Sequence, residues 1–267
     1  MKENKIKTLL LLIFGVLLLF PIYILFMSAF KTEKDLFVVS LWPSHPTLQS
    51  IMSALKSGYL NSIKNSMIVS ITVTVVAMIL HAMCGYALAR IDFPGKKIIF
   101  LLIISTLMVP MTTIFVPLFM VSKALGITNS YGGLIIPALF NAYGVFLFRQ
   151  FYLDFPEELE EAAEIEGCST AKLFISIVLP LSKPVIVPLT IAFFLGTWNN
   201  YLWPLIVNKK EEFNTVQVYL ANMVSGYSTP WNVLIASAAI AAIPVFVLFL
   251  FMQKQLIDNI KATGTKS

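Results

Sequence analysis

Six long apolar runs dominate this chain and leave room for few architectures. They cover residues 9–27, 66–89, 98–122, 132–151, 184–207 and 231–252. A helix needs roughly 20 apolar residues to cross the hydrocarbon core of a bilayer. Together the six runs hold no Asp or Glu and, besides His81 in the second, one Lys or Arg, Arg149, near the end of the fourth. None alternates with a period of two, which argues against a membrane barrel. Over 267 residues the chain is 58% hydrophobic and 12% charged, about half the charge of a soluble domain. Such a surface cannot be clothed in charge, and disorder is excluded on the same ground. The predicted fold is an all-α membrane protein: six transmembrane helices, with one short helix on the loop between the fourth and fifth. Spans and loops are read as a single membrane domain, 1–267.

Lys2, Lys5 and Lys7 ahead of residues 9–20 would suit a signal peptide. The apolar run continues past Pro21 to Met27, however, which favours a retained span. Placing the N-terminus inside the cell puts 12 of the 19 Lys and Arg residues on the inner segments. The positive-inside rule therefore predicts both termini in the cytoplasm. The basic residues sit between the runs rather than on one face, so no nucleic-acid partner is expected. Cys84 and Cys168 have no neighbours at metal-site spacing, and no metal site is predicted.

Seven of the 14 acidic residues fall between Asp154 and Glu166. Asp154 and Glu157 have the spacing of a capping box, Pro156 suits a first helical turn, and Gly167 is a plausible stop. The pattern predicts a short inner helix over 156–166, followed by a second carrying Leu173, Phe174, Ile177 and Val178. An acidic helix can be a merely solvated face. It can also be an element laid into a partner's groove.

The order Glu161-Ala162-Ala163, three residues, Gly167, nine residues, then Ile177-x-Leu179-Pro180 resembles the EAA-type coupling loop of ABC importer permeases. Nearly the whole chain is similar to the MalG-like permeases of carbohydrate importers. The residues that carry the likeness are Asn65-Ser66, Tyr86-Ala87-Leu88-Ala89-Arg90, Pro110, Pro117, Pro156-Glu157-Glu158-Leu159, Trp198-Asn199 and the tail 253–264. Glu166 replaces the usual Asp, and Cys168 a small Ala. The resemblance implies a subunit of the bacterial cell membrane. Its implied partners are a second MalG- or MalF-like permease, two ATP-binding subunits and an extracytoplasmic sugar-binding protein. It also implies ATPase docking through Glu160, Glu161, Ala162, Ala163, Glu166, Gly167, Leu173 and Phe174. Gly95-Lys96-Lys97 lacks the upstream glycine and the hydroxyl of a phosphate loop. ATP and magnesium are thus expected on the partner ATPase, with no cofactor bound by this chain.

Trp198, Asn199, Asn200 and Tyr201 lie in the second half of the fifth run. Aromatic residues there serve as interface anchors, but amides inside a bilayer call for partners or water. The cluster is a candidate sugar pathway, as is Asn141 in the fourth run, which could equally bond a neighbouring helix. By resemblance, Asn222, Gly226 and Tyr227 could reach the binding protein. His81 reads either as a packed, hydrogen-bonded histidine or as a proton relay. A secondary transporter would need acids inside the spans, and a membrane enzyme would need a catalytic motif such as H-E-x-x-H or G-x-S-x-G. The sequence has neither.

Overall fold

The computed structural model describes residues 2–224 and 229–264. Among these residues the elements are all helical. Three helices are continuous, long and apolar enough to cross a membrane: Lys5–Ser28, Leu60–Arg90 and Trp231–Ile257. They contain the first, second and sixth predicted runs, and Leu60–Arg90 starts six residues before its run. The third and fourth runs are bent pairs of helices, and the fifth is divided between two helices.

The third run is broken most sharply: Lys96–Met108 and Met111–Ala124 meet at 107°. The cause is Pro110. Its ring pushes the preceding residue out of the helical region, and Val109 is extended with φ −90° and ψ 117°. Tyr131–Ala138 and Ala142–Leu153 meet at 41° in the fourth run, where Asn141 is also extended. The fifth run is not one helix over 184–207. Lys183–Trp198 ends at Asn199, and Leu202–Val207 begins a new helix. Pro204 has no N–H to give to the carbonyl of Asn200, and Asn200 Oδ1 accepts from the Trp203 N–H at 3.4 Å instead. Before it, Thr170–Leu181 meets Lys183–Trp198 at 74°.

The chain forms two compact units, Met1–Lys64 with Thr215–Phe246, and Asn65–Asn214 with Val247–Ser267. In the first, Ala29, Ala236 and Ala239 pack with Leu25, Phe26 and Ile51. The Tyr59 hydroxyl there donates to the Ser237 carbonyl at 2.6 Å.

Among the described residues, the second unit shows two cores. One gathers Val69, Val73, Leu134, Trp203 and Val207, and the Trp203 ring N–H donates to the Gly133 carbonyl at 2.9 Å. Beside it, buried Asn65 is fully paired. Its amide donates to the Glu212 and Asn214 carbonyls at 2.8 and 3.0 Å, and its oxygen accepts from the Tyr131 hydroxyl at 2.6 Å. The other core carries Met78, Tyr86, Phe148, Tyr152, Phe155, Ala163, Leu173 and Val178, and it positions the acidic segment.

Candidate functional site

The acidic helix spans Glu157–Ile165. The predicted capping box does not form. Asp154 instead closes the preceding helix Ala142–Leu153, and Pro156 stands at the N-cap without a side-chain bond. Glu157, Glu158 and Glu160 in the first turn face the positive end of the helix dipole. The other end is a Schellman closure: Cys168 N–H donates to the Ala163 carbonyl and Gly167 N–H to the Glu164 carbonyl, both at 2.9 Å. Gly167 takes the left-handed conformation this closure requires, φ +76°. Ser169 then caps the next helix through the Lys172 N–H at 3.4 Å. A π-helical turn over Phe174–Val178 leads to Leu181. Buried Ser182 ends the segment, its hydroxyl donating to the Val178 carbonyl at 2.6 Å and lying 3.1 Å from the Tyr152 hydroxyl.

The segment is clamped to the ends of two span helices. Arg90, the last residue of Leu60–Arg90, reaches Glu157 at 2.8 Å and Glu160 at 3.6 Å, and also bonds the Phe155 carbonyl. Burial pushes the Glu160 carboxyl up, while the Arg90 charge and the Tyr86 hydroxyl pull it back; Glu157 and Glu164 add to the rise. Above this ion pair lies an aromatic lattice. Tyr86 meets Tyr152 edge-on at 5.6 Å and Phe174 at 5.1 Å, and Phe148 stacks on Tyr152 at 5.9 Å. Gly85 makes this approach possible: a Cβ there would lie 2.6 Å from the Phe148 Cβ and 2.9 Å from the Arg149 nitrogen.

The eight residues implied for docking are therefore divided. Glu161, Ala162, Glu166 and Gly167 are exposed, and Glu160 and Phe174 are half-buried. Ala163 and Leu173 are buried in the chain's own core, at 6% and 2% exposure. Their side chains fix the helix rather than offer a free surface, so the two alanines do not share one open face. Tyr152 and Ser182 are structural partners that pattern reading passed over, and Tyr86 and Arg90 are partners that it quoted for their likeness without giving them a role. The available signal was a basic residue closing the second run opposite seven acids.

The pathway candidates are dispersed as well. Trp198 is 2% exposed and stacks on Phe194 at 5.7 Å, so its ring is committed to the protein. Asn199 and Tyr201 are exposed at the helix break, and Asn200 is half-buried at the same break. Asn141 is exposed and caps its own helix, its side chain accepting from the Tyr143 N–H at 2.9 Å. Buried His81 completes that break: its Nε2 accepts from the Asn141 N–H at 3.0 Å. Asn222 is exposed on Val216–Met223, while Gly226 and Tyr227 lie outside the described residues. Among the described residues, no group of His, Cys, Asp and Glu has the geometry to hold a metal ion.

This arrangement of three continuous and three bent apolar helices is the fold of an ABC importer's membrane subunit. A solved bacterial ABC transporter involved in the import of the acidic polysaccharide alginate superposes on it with a TM-score of 0.83. That match covers 94% of this chain and 95% of the other at 22% identity. Residues 81–261 match the binding-protein-dependent transport system inner membrane components, and the chain belongs to that family. It is 34% identical over 265 residues to the arabinooligosaccharides transport system permease protein AraQ of Bacillus subtilis, covering 97% of this chain and 94% of the relative. It is 32% identical over 273 residues to the sn-glycerol-3-phosphate transport system permease protein UgpE of Brucella abortus, covering 98% and 97%. The chain is accordingly a permease subunit with no catalytic chemistry of its own.

Proposed function

We propose that the whole chain acts as one permease domain of an ATP-driven sugar importer, forming half of the pathway beside a second permease. Two ATPase subunits dock on the exposed side of Glu157–Ile165, and a binding protein delivers sugar on the far side of the membrane. Nucleotide and magnesium belong to the ATPases. The observation that carries this reading is the anchoring of the acidic helix. Its inner side is keyed into the aromatic core by Ala163, and Arg90 holds it, while Glu161, Ala162 and Glu166 remain exposed. A push on that side is passed to the helices Leu60–Arg90 and Ala142–Leu153 instead of being lost in a mobile loop. An ATPase that binds the two states of the permease differently can then shift its access from one side to the other.

A neutral sugar is favoured over a phosphorylated polyol. The one Lys or Arg of the six runs, Arg149, is already engaged, lying 3.9 Å from the Phe100 ring centre and bonding the Leu88 carbonyl at 3.2 Å. The amides and ring at 199–201 suit hydroxyl groups.

The test is Ala162→Trp, which adds bulk at an exposed point without entering the core. We expect membrane levels of the subunit to be unchanged. Uptake of labelled oligosaccharide, in cells holding the complete importer, should fall about tenfold or more, as when a central interface residue is lost. Normal uptake by this variant would remove the docking role. Preferential uptake of sn-glycerol 3-phosphate by the unaltered importer would replace the substrate class.

A further inference from the structure

The connection after the first helix carries five apolar side chains that the chain itself leaves uncovered. Phe37, Val38, Val39, Leu41 and Trp42 are between 55% and 105% exposed. A soluble connection so composed would be a liability, yet this one is held in place. Lys31, only 4% exposed, turns its ammonium inward, donating to the Ser40 carbonyl at 3.0 Å and to the Val38 carbonyl at 3.4 Å. The Thr47 N–H donates to the Phe30 carbonyl at 2.9 Å and closes the loop's base. The third tie is the informative one. The Tyr23 hydroxyl, on the first helix, donates to the Leu41 carbonyl at 3.1 Å.

Tyr23 fixes a depth. It lies four residues before the end of the uncharged run at Met27, which is about 6 Å back along the helix axis. The loop therefore folds back beside the helix to the level of the run's last turn and does not project away from it. The window of this helix that is apolar enough to span is 0% buried inside the chain, so the surface it offers to lipid continues into the strap. Trp and Tyr at this level fit the water–hydrocarbon boundary, where an apolar ring and a polar tip are both satisfied.

We propose that residues 37–42 form an interfacial strap. It is seated in the headgroup and upper acyl region of the leaflet at the C-terminal end of the first helix, with the bilayer as its partner. Its carbonyls are taken up by Lys31 and Tyr23, which lowers the cost of placing loop backbone at that depth. The strap fixes how far this end of the helix enters the membrane.

The test uses the assembled importer in vesicles of phosphatidylethanolamine and phosphatidylglycerol. Tryptophan emission of the unaltered protein minus that of Trp42→Phe isolates Trp42. We expect a blue-shifted component that loses most of its intensity to lipids brominated near the top of the acyl chain and little to aqueous iodide. Quenching by iodide alone would place the loop in water, and quenching by neither would place it under a protein partner. Either result overturns the proposal. Tyr23→Phe should move Trp42 toward iodide accessibility, and an unchanged profile would remove the depth-setting tie.

Discussion

Arg90 is the residue on which the acidic helix depends most. Its guanidinium meets two carboxylates of unequal exposure, Glu157 being largely open and Glu160 nearly covered. Loss of the cation would leave Glu160 with the Tyr86 hydroxyl but no compensating charge, a costlier state than loss of an exposed pair. Because the pair is only partly buried, Arg90→Ala should destabilise the subunit by about 1–2 kcal/mol. The pH dependence follows from the direction of the Glu160 shift. Its carboxyl already titrates above its ordinary value of 4.5, so its contribution is most favourable below that value and falls away as pH rises through the folded-state pKa. Removing Arg90 raises that pKa further. The penalty of Arg90→Ala should therefore grow between mildly acidic and neutral pH, and Arg90→Lys should recover part of it. Thermal unfolding in detergent at several pH values checks this, and a penalty independent of pH would mean that Glu160 is not what Arg90 neutralises.

Among the elements, the contact between Leu60–Arg90 and Ala142–Leu153 sets how closely the spans approach. Small residues allow membrane helices to pack backbone against backbone, and Gly85 fills that role against Phe148. Gly85→Ala should force the pair apart and cost about 1–3 kcal/mol, as overpacking does elsewhere. Gly196, with nothing within 4 Å of its added Cβ, provides the matched comparison. Gly196→Ala should be neutral or stabilise its helix by up to about 1 kcal/mol. Equal effects in a thermal-shift assay would refute the packing argument. These elements also mark how far sequence reading reaches. Hydropathy marked six apolar runs, and the boundary signals at Pro156 and Gly167 placed the acidic helix within a residue at each end. Hydropathy averages over a window, however, and is blind to direction. It could not show that Pro110 turns the third run by 107° or that Asn199–Tyr201 splits the fifth. The clamp was illegible for another reason. Arg90 and Glu157 are 67 positions apart, and only the packing of two spans brings them together.

For the molecule as a whole, orientation decides whether the proposed function is possible. ATP is inside the cell, so the acidic helix must be inside too. Gly95 and Lys96, at the turn between the second and third runs, then lie inside, and Lys209 and Lys210 lie outside. The distribution of Lys and Arg favours that arrangement by 12 against 7. The prediction is correspondingly direct. Green fluorescent protein fused after Ser267 should fluoresce, because it folds in the cytoplasm. Alkaline phosphatase inserted after Lys210 should be active, because it requires the oxidising side. The reverse pattern would place Glu161, Ala162 and Glu166 where no nucleotide-driven subunit can reach them. It would end the docking proposal while leaving the interfacial strap intact, since a bilayer presents a headgroup region on both faces.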